Sequence, residues 1–399
     1  MQLTNNFYPC FSAGGPSRNV YELSKQLVKH GHEVTVFTGD VCGKQNLAVK
    51  QHRAVYVDGI ETYYFRNVLN WLMRNAKFAT PYRLPAIARR EIERFDIIHL
   101  HEHRTAFAAI LHHYAIKHRI PYIVHSRGSV LQETVLRDIR KQKLKQLFDS
   151  VWGDQILRDA TKLIALTKTE ELEYLRMGVP QDKVEIVPNG INCADYKKLP
   201  AKGEFRKKHA IDPQDRVVLS LGRIHEVKGI DLLVASFAEL VKVMKDIKLV
   251  IAGPDRGFRS TLENQVERLG IGEYVKFVGP IYESDKIEAY VDADVFVLPS
   301  RYEPFGVVIL EASACGTPVI VTTRCLFADG VAEFGLVVEY DVKQMKDALF
   351  ALLSDDQLRQ RLGQRGRVMM RDKFDYPKIA EQVVSVYESA LKRPVGKIS

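Results

Sequence analysis

The sequence predicts an α/β chain built from two doubly wound, Rossmann-like domains. Three observations carry that reading. Short apolar runs alternate with amphipathic helical stretches, and the rhythm restarts after residue 214. Glycine-bearing loops follow the first strand of each half, at residues 14–15 and 222–229. The length of 399 residues exceeds one ordinary domain and fits two of roughly 190.

In chain order, residues 1–3 read as the stub of a buried strand. The loop 7–15 ends in Gly14 and Gly15, just before a helix over 17–30 with Val20, Leu23, Leu27 and Val28 at helical spacing. Gly31 stops it, and a strand over 34–38 completes a Rossmann-like opening. A strand over 60–65 follows a variable stretch. Residues 66–90 then carry six basic side chains and no acidic one, with Trp71, Leu72, Met73 and Phe78 among them. Two readings stand for this segment: a face lying on an anionic membrane, or a solvated helix whose apolar residues pack inward. Pro81 and Pro85 interrupt any long helix there.

The run DIIHLH over 96–101 is a buried strand. His99, His101 and His103 alternate there, as a metal site would, or as one histidine aimed into a cleft with the others packed or solvated. A helix over 105–118 and a strand over 122–125 lead to Ser126, Arg127 and Gly128. Arg137, Arg140, Lys141, Lys143 and Lys145 mark a second basic helical region. A strand over 163–166, a helix over 168–177 and a strand over 184–187 end this half at the turn Pro188-Asn189-Gly190. In the second half, strands are expected over 217–221, 248–252, 275–278, 295–298, 319–321 and 336–338, with closing helices over 354–372 and 374–391.

The totals bound the function. No stretch approaches the roughly 20 apolar residues of a membrane span. The first residues show no basic region followed by an apolar core, so no signal peptide is expected. Cys10, Cys42, Cys193, Cys315 and Cys325 show no paired or metal spacing and read as free thiols in a reducing, cytoplasmic setting. The net charge of +9 falls on residues 1–200, while residues 201–399 balance. That asymmetry points to an acidic partner for the first half: anionic lipid, a phosphate-bearing acceptor or nucleic acid. Nucleic acid is set aside, because no recognised binding module accompanies the charge.

The chemistry concentrates in residues 294–321, DVFVLPSRYEPFGVVILEASACGTPVIV, which reads as strand, loop, helix, strand. Ligands of open α/β sheets bind at the carboxyl ends of the strands. The amides near Phe305, Gly306 and Val307 open a helix and suit a phosphate. Glu303 in the loop is placed to accept from sugar hydroxyls, and Glu311, about two turns on, from a ribose diol. A lone pair of glutamates at this spacing would be ordinary surface charge; the surrounding EPFG and the strand context favour a site. Arg223 and Lys228 flank the glycine-bounded loop after the second half's first strand. There they form a clamp for pyrophosphate rather than two stray cations.

The stretches YELSKQLVKHGHEVTVFT, VPNGIN, LGRIHEVKG, IAGPD and SRYEPFGVVILEASACGTPVI together resemble the retaining glycosyltransferases of the GT-B fold, in glycosyltransferase family four. The resemblance implies two Rossmann-like domains facing across a cleft, with a UDP- or GDP-sugar donor held mostly by the second. It assigns Arg223 and Lys228 to the diphosphate, Glu311 to the ribose, and Glu303 with the amides of Phe305, Gly306 and Val307 to the sugar and phosphates. Gly14 and Gly15 would lie across the donor. Asn189 and Ile281 join the donor-binding set, Ile281 through backbone near the base. The family is metal-independent and needs no cofactor, and the chain shows no D-x-D motif at a strand end. Front-face displacement with retention is implied.

Two departures stand out. Relatives carry a His-Gly pair where this chain has Arg127 before Gly128. An arginine stays charged and is no base at neutral pH, so Arg127 is expected to stabilise phosphate charge, with His125 sharing its face. The first strand also begins several residues late.

The expected domains are 1–190 on the acceptor side, a linker over 191–214, a nucleotide-sugar-binding domain over 215–373, and a final helix over 374–399 crossing back. The expected reaction moves a hexose or acetamidohexose to a lipid-linked or saccharide acceptor, at the cytoplasmic face of a membrane that the basic first domain touches peripherally. The alternatives are an epimerase or phosphorylase of the same fold, or a nucleotide-sugar-binding protein impaired by Arg127.

Overall fold

The structure, a computed structural model, describes residues 1–11, 15–43, 45–69, 80–130 and 139–392. It divides into two compact units, Met1–Asn189 with Tyr376–Ser399, and Gly190–Asp375.

The strands of the first unit are β1 (Gln2–Leu3), β2 (Thr35–Gly39), β3 (Val41–Cys42), β4 (Gln45–Asn46), β5 (Ala54–Val57), β6 (Ile60–Phe65), β7 (Ile98–His101), β8 (Tyr122–His125), β9 (Lys162–Ala165) and β10 (Val184–Ile186). Eight of them form one sheet in the order β10-β9-β8-β7-β1-β2-β6-β5, and β3 pairs β4 in a separate ribbon. Among the described strands of the large sheet, only the edge strand β5 runs antiparallel; the ribbon β3–β4 is antiparallel as well. Successive residues of the central strands enter opposite apolar clusters. Val36, Ile123 and Ile164 pack with the helix Gly15–Lys29 and the C-terminal helix Tyr376–Leu391, while Phe37, Val124 and Leu163 pack on the other face with Leu84, Phe107 and Leu111.

The strand β5 is absent from the sequence reading, although its signal is plain in hindsight. Val57 pairs with Ile60 across the two-residue turn Asp58-Gly59, and both turn residues have positive φ, 48° and 79°. That is the primed turn an Asp-Gly pair favours in hairpins. The cysteines require a correction. Cys10 and Cys42, expected as free thiols, form a disulfide with Cα atoms 5.6 Å apart, leaving Cys193, Cys315 and Cys325 free. They are separated by 32 residues in sequence. The loop after β1 and the ribbon after β2 leave the same ends of adjacent parallel strands, which brings the two thiols together.

The second unit holds β11 (Arg216–Leu221), β12 (Ile247–Ala252), β13 (Val275–Gly279), β14 (Val295–Leu298), β15 (Val319–Thr322) and β16 (Leu336–Val338). They form a parallel sheet in the order β13-β12-β11-β14-β15-β16. Counted from β11 this is 3-2-1-4-5-6, the doubly wound order whose direction of winding reverses between β11 and β14. Residues 191–214 carry structure of their own within this unit. The helix Glu204–Lys208 buries Phe205 and Arg206, and Arg206 donates to Asp294 Oδ2 at 2.9 Å. Asp294 Oδ2 also accepts from the Val217 amide at 2.8 Å. The starts of β11 and β14 are thus tied together.

Of the five cysteines, three should react with a thiol reagent in the denatured, unreduced protein and all five after reduction. Closing a loop of 32 residues contributes about 3–4 kcal/mol by chain entropy. The Cys10→Ser protein should therefore unfold at lower urea than the oxidised wild type. Five reactive thiols without reductant would contradict the bond.

Candidate functional site

The reversal point of the second sheet collects most of the residues singled out by the sequence. β11 runs into Gly222 and Arg223, and a short 3-10 turn Glu226–Lys228 brings up Lys228. β14 runs into the loop holding Arg301 and Glu303. The two loops are bonded to each other: the Arg301 amide donates to Val227 O at 2.9 Å, and the Arg301 guanidinium donates to Asp231 at 2.5 Å. Gly229 permits the approach. Its φ is +62°, and a Cβ there would lie 2.1 Å from the carbonyl oxygen of Pro299. The close contact delivers Lys228 Nζ to Glu303 Oε2, where the two form an ion pair with both side chains mostly buried. Glu303 is also fixed by its backbone, which bonds Arg324 O and the Leu326 amide at 3.2 and 2.9 Å. Arg223 presents an exposed side chain from the same strand end.

Gly306 caps the helix Val307–Ala314 at φ 81°. A Cβ there would press on the side-chain ends of Leu298 and Ile309 at 2.8 and 2.9 Å, and the positive φ itself favours glycine. Phe305 is buried against Phe327, ring centroids 4.4 Å apart. The amides that open this helix carry the positive end of its dipole. Glu311 is buried on the helix. Its Oε2 accepts from Tyr290 Oη at 2.9 Å and pairs with Lys286 Nζ at 2.6 Å. Burial, with the Glu311 carboxylate beside it, holds the Tyr290 phenol well above its ordinary range. Ile281 lies half-buried just beyond β13. The second unit therefore brings together Arg223, Lys228, Glu303, Phe305, Gly306, Val307 and Glu311 around one pair of strand ends.

A second constellation lies wholly in the first unit, and the sequence reading found only parts of it. Its sheet also reverses, between β1 and β7. Glu102 follows β7 with φ 75° and accepts from Asn5 Nδ2 at 2.7 Å. Neither residue had been singled out; a carboxylate next to a strand's end was the available signal. Arg127 has φ 52° and Gly128 φ 80°. This loop is gripped by Glu170, which accepts from the Gly128 amide at 2.6 Å and the Leu166 amide at 2.7 Å. Burial pushes the Glu170 carboxyl up to about 7, against those two amides, which pull it down.

The Arg127 side chain donates to Asn189 Oδ1 at 2.8 Å and to His101 Nδ1 at 3.0 Å. A guanidinium only donates, so His101 must carry its proton on Nε2. That nitrogen faces Gln2 Oε1 at 2.6 Å. Gln2 Nε2 then donates to Tyr387 Oη at 2.7 Å, and the Tyr387 hydroxyl is left to donate to His99 Nδ1 at 2.8 Å. One directed chain thus runs from Arg127 to the C-terminal helix. Burial brings Arg127 down to about 10, still charged at neutral pH.

Of the alternatives for the histidines, the structure shows packing. His99, His101, His103 and His125 are all buried, and burial first, then mostly Arg127 or Arg104, holds each well below its ordinary range. None of them meets solvent: His99 lies against Tyr387 of the helix Tyr376–Leu391, and His103 Nδ1 meets Ser126 Oγ at 2.9 Å. Ligand atoms of His99, His101 and His125 lie within 4.8 Å of one another. Both nitrogens of His101 are already bonded, and a guanidinium adjoins it, so the cluster suits a cation poorly. Gly15 opens the helix Gly15–Lys29; Gly14 lies outside the described residues.

Comparison with known proteins adds an independent finding. The sequence matches the family described as Glycosyl transferases group 1 over residues 201–369, and Glycosyltransferase Family 4 over residues 13–195. It is similar to the lipopolysaccharide core biosynthesis mannosyltransferase LpsB of Rhizobium meliloti, 30% identical over 286 residues, which cover 67% of this chain and 79% of that one. It is similar as well to a D-inositol 3-phosphate glycosyltransferase of Kineococcus radiotolerans, 26% identical over 95% of this chain and 91% of the other. Among solved structures, Anabaena Alr3699/HepE in complex with UDP and glucose superimposes with a TM-score of 0.73 at 18% identity, covering 97% and 98% of the two chains.

The grip on the Arg127 loop can be measured. Glu170→Ala should lower the unfolding free energy by about 2–4 kcal/mol, because two buried amides lose their acceptor. Glu170→Gln should cost less, since the amide keeps one acceptor oxygen. Equal urea midpoints for wild type and Glu170→Ala would contradict this role.

Proposed function

The chain belongs to the group 1 glycosyltransferases of family four and has their two-domain GT-B fold, and we propose that it is a retaining, metal-independent transferase of hexose or acetamidohexose from a UDP-sugar to a lipid-linked or saccharide acceptor. The observation that carries the reading is the meeting of Lys228, Arg223 and Glu303 at the reversal point of the second sheet. A nucleoside diphosphate needs cations at its phosphates and carboxylates at its hydroxyls, and this point offers both. UDP is favoured over GDP because Anabaena Alr3699/HepE, of the same fold, is found with UDP, with UDP and glucose, and with UDP-glucose. The similarity to LpsB favours a saccharide or lipid-borne saccharide as acceptor.

Each residue has a role in this proposal. The donor diphosphate takes the Lys228 ammonium from Glu303, which frees the carboxylate to accept from sugar hydroxyls. Arg223 adds a second cation, and the amides opening the helix Val307–Ala314 complete the phosphate site. Glu311 spends Oε2 on Tyr290 and Lys286, and its other oxygen serves the ribose. Charge developing on the leaving diphosphate is met by fixed cations and amides, so neither a metal nor a cofactor is assigned a role. Departure and attack on one face of the sugar retain its configuration, the acceptor hydroxyl giving its proton to the departing phosphate oxygen as the new bond forms. In the first unit, Arg127 supplies a fixed positive charge for a phosphate-bearing acceptor. Activity at the cytoplasmic face of a membrane fits the basic first half.

Wild type should release nucleoside diphosphate from one UDP-sugar when a suitable acceptor is present. Lys228→Ala and Glu303→Ala should each lower that rate at least a hundredfold, about 2.7 kcal/mol. Proton NMR of the product should show the donor's anomeric configuration. Donor consumed without acceptor would indicate an epimerase instead, and binding without turnover an inert receptor.

A further inference from the structure

We propose that the face formed by the helix Ile139–Phe148 and the turn Asp149–Gly153 docks the first unit onto an anionic bilayer. The inference deepens the lipid-linked acceptor reading above, yet it is read without donor or acceptor. Apolar side chains in this segment stand in water. Leu144, Leu147, Val151 and Trp152 are 53, 60, 48 and 48% exposed. Leu144, Leu147 and Val151 are spaced by three and four residues, so they fall on one stripe of the helix and its continuation. A stripe meant for a protein core would be covered; this one faces outward.

The charges beside it specify the occupant. Lys143 and Lys145 are exposed and lie on either side of Leu144, about 100° away in each direction around the helix. Their aliphatic stems are long enough to follow an apolar surface while the ammonium groups reach lipid phosphates. The one carboxylate within residues 142–153 is Asp149. It is tied to Arg104, 2.8 Å from its Nε, and so adds little negative field to the face. A tryptophan at the edge of such a stripe sits naturally at headgroup depth.

The apolar surface also continues past Trp152. With Phe148, Pro85, Ala106, Ala109 and Ile110, Trp152 lines a groove of about 430 Å³. A protein partner would need matching carboxylates at fixed positions. A bilayer carrying anionic headgroups satisfies cations on both flanks without any, and takes the whole apolar band between them.

The test uses the full chain with Trp71→Phe, so that Trp152 is the remaining tryptophan. Vesicles of equal phosphatidylcholine and phosphatidylglycerol should shift its emission to the blue and float the protein. Pure phosphatidylcholine vesicles should bind at least tenfold more weakly, and 0.5 M salt should erase most of the difference. Leu147→Glu with Val151→Glu should reduce partitioning at least tenfold at unchanged circular dichroism. Lys143→Ala with Lys145→Ala should remove the anionic preference and keep the residual binding. No preference for anionic vesicles, or unchanged binding of the glutamate variant, overturns the proposal. So does self-association that the glutamate variant abolishes while vesicles leave the wild type unbound. Loss of transferase activity alone, with vesicle binding intact, bears on the proposed reaction and not on this surface.

Discussion

Much of the second unit depends on how closely Gly229 approaches the carbonyl of Pro299. Any side chain at 229 would collide with backbone, and backbone does not yield as a flexible side chain does. The approach is possible only because β11 and β14 are neighbours at the point where the winding reverses. It makes a cation from one loop and a carboxylate from the other into a buried pair. At Gly306, one element later, the constraint is the positive φ, with the side-chain ends of Leu298 and Ile309 close by. Gly229, at positive φ, therefore sets the spacing of Lys228 and Glu303, and Gly306 adjoins Glu303 at the helix start. Their conformational cost is offset by the packing they permit.

The first unit achieves fixity by a different means. Its polar residues sit under the C-terminal helix in a chain of hydrogen bonds with a single direction, from Arg127 through His101, Gln2 and Tyr387 to His99. The direction follows from the guanidinium, which has protons to give and no lone pair to offer. Protonating His101 would turn an acceptor into a donor facing Arg127, so burial and geometry agree in keeping it neutral. The same arrangement explains how an arginine is held at a half-buried position. Its charge is shared among a neutral ring, an amide oxygen and whatever ligand approaches its open side.

The sheets were legible in the sequence because their strands are continuous apolar runs, and such runs have few alternative folds. The strands over 60–65, 122–125, 295–298 and 336–338 match residue for residue. The edge strand Ala54–Val57 was not found, since its alternately exposed residues make no apolar run. Arg223, Lys228, Glu303 and Glu311 were legible because each lies near a strand end or on the helix that follows one. The partners of Glu311 were not. Lys286 and Tyr290 come from a different helix, Glu283–Asp292, and no spacing links them to residue 311. The disulfide was missed for the same reason, and so was the role of Gln2, whose neighbours lie 99 and 385 residues away. Contacts made by tertiary packing leave no local signature.

The central claim is that the strand ends of β11 and β14, with the helix Val307–Ala314, hold the nucleoside diphosphate of the donor. Calorimetric titration of UDP into wild type and Glu311→Gln tests it without any acceptor. The account predicts saturable binding to wild type and at least tenfold weaker binding to the variant, about 1.4 kcal/mol, because the amide offers the ribose a weaker acceptor than the carboxylate. Equal affinity in the two proteins, with both folded, would contradict it.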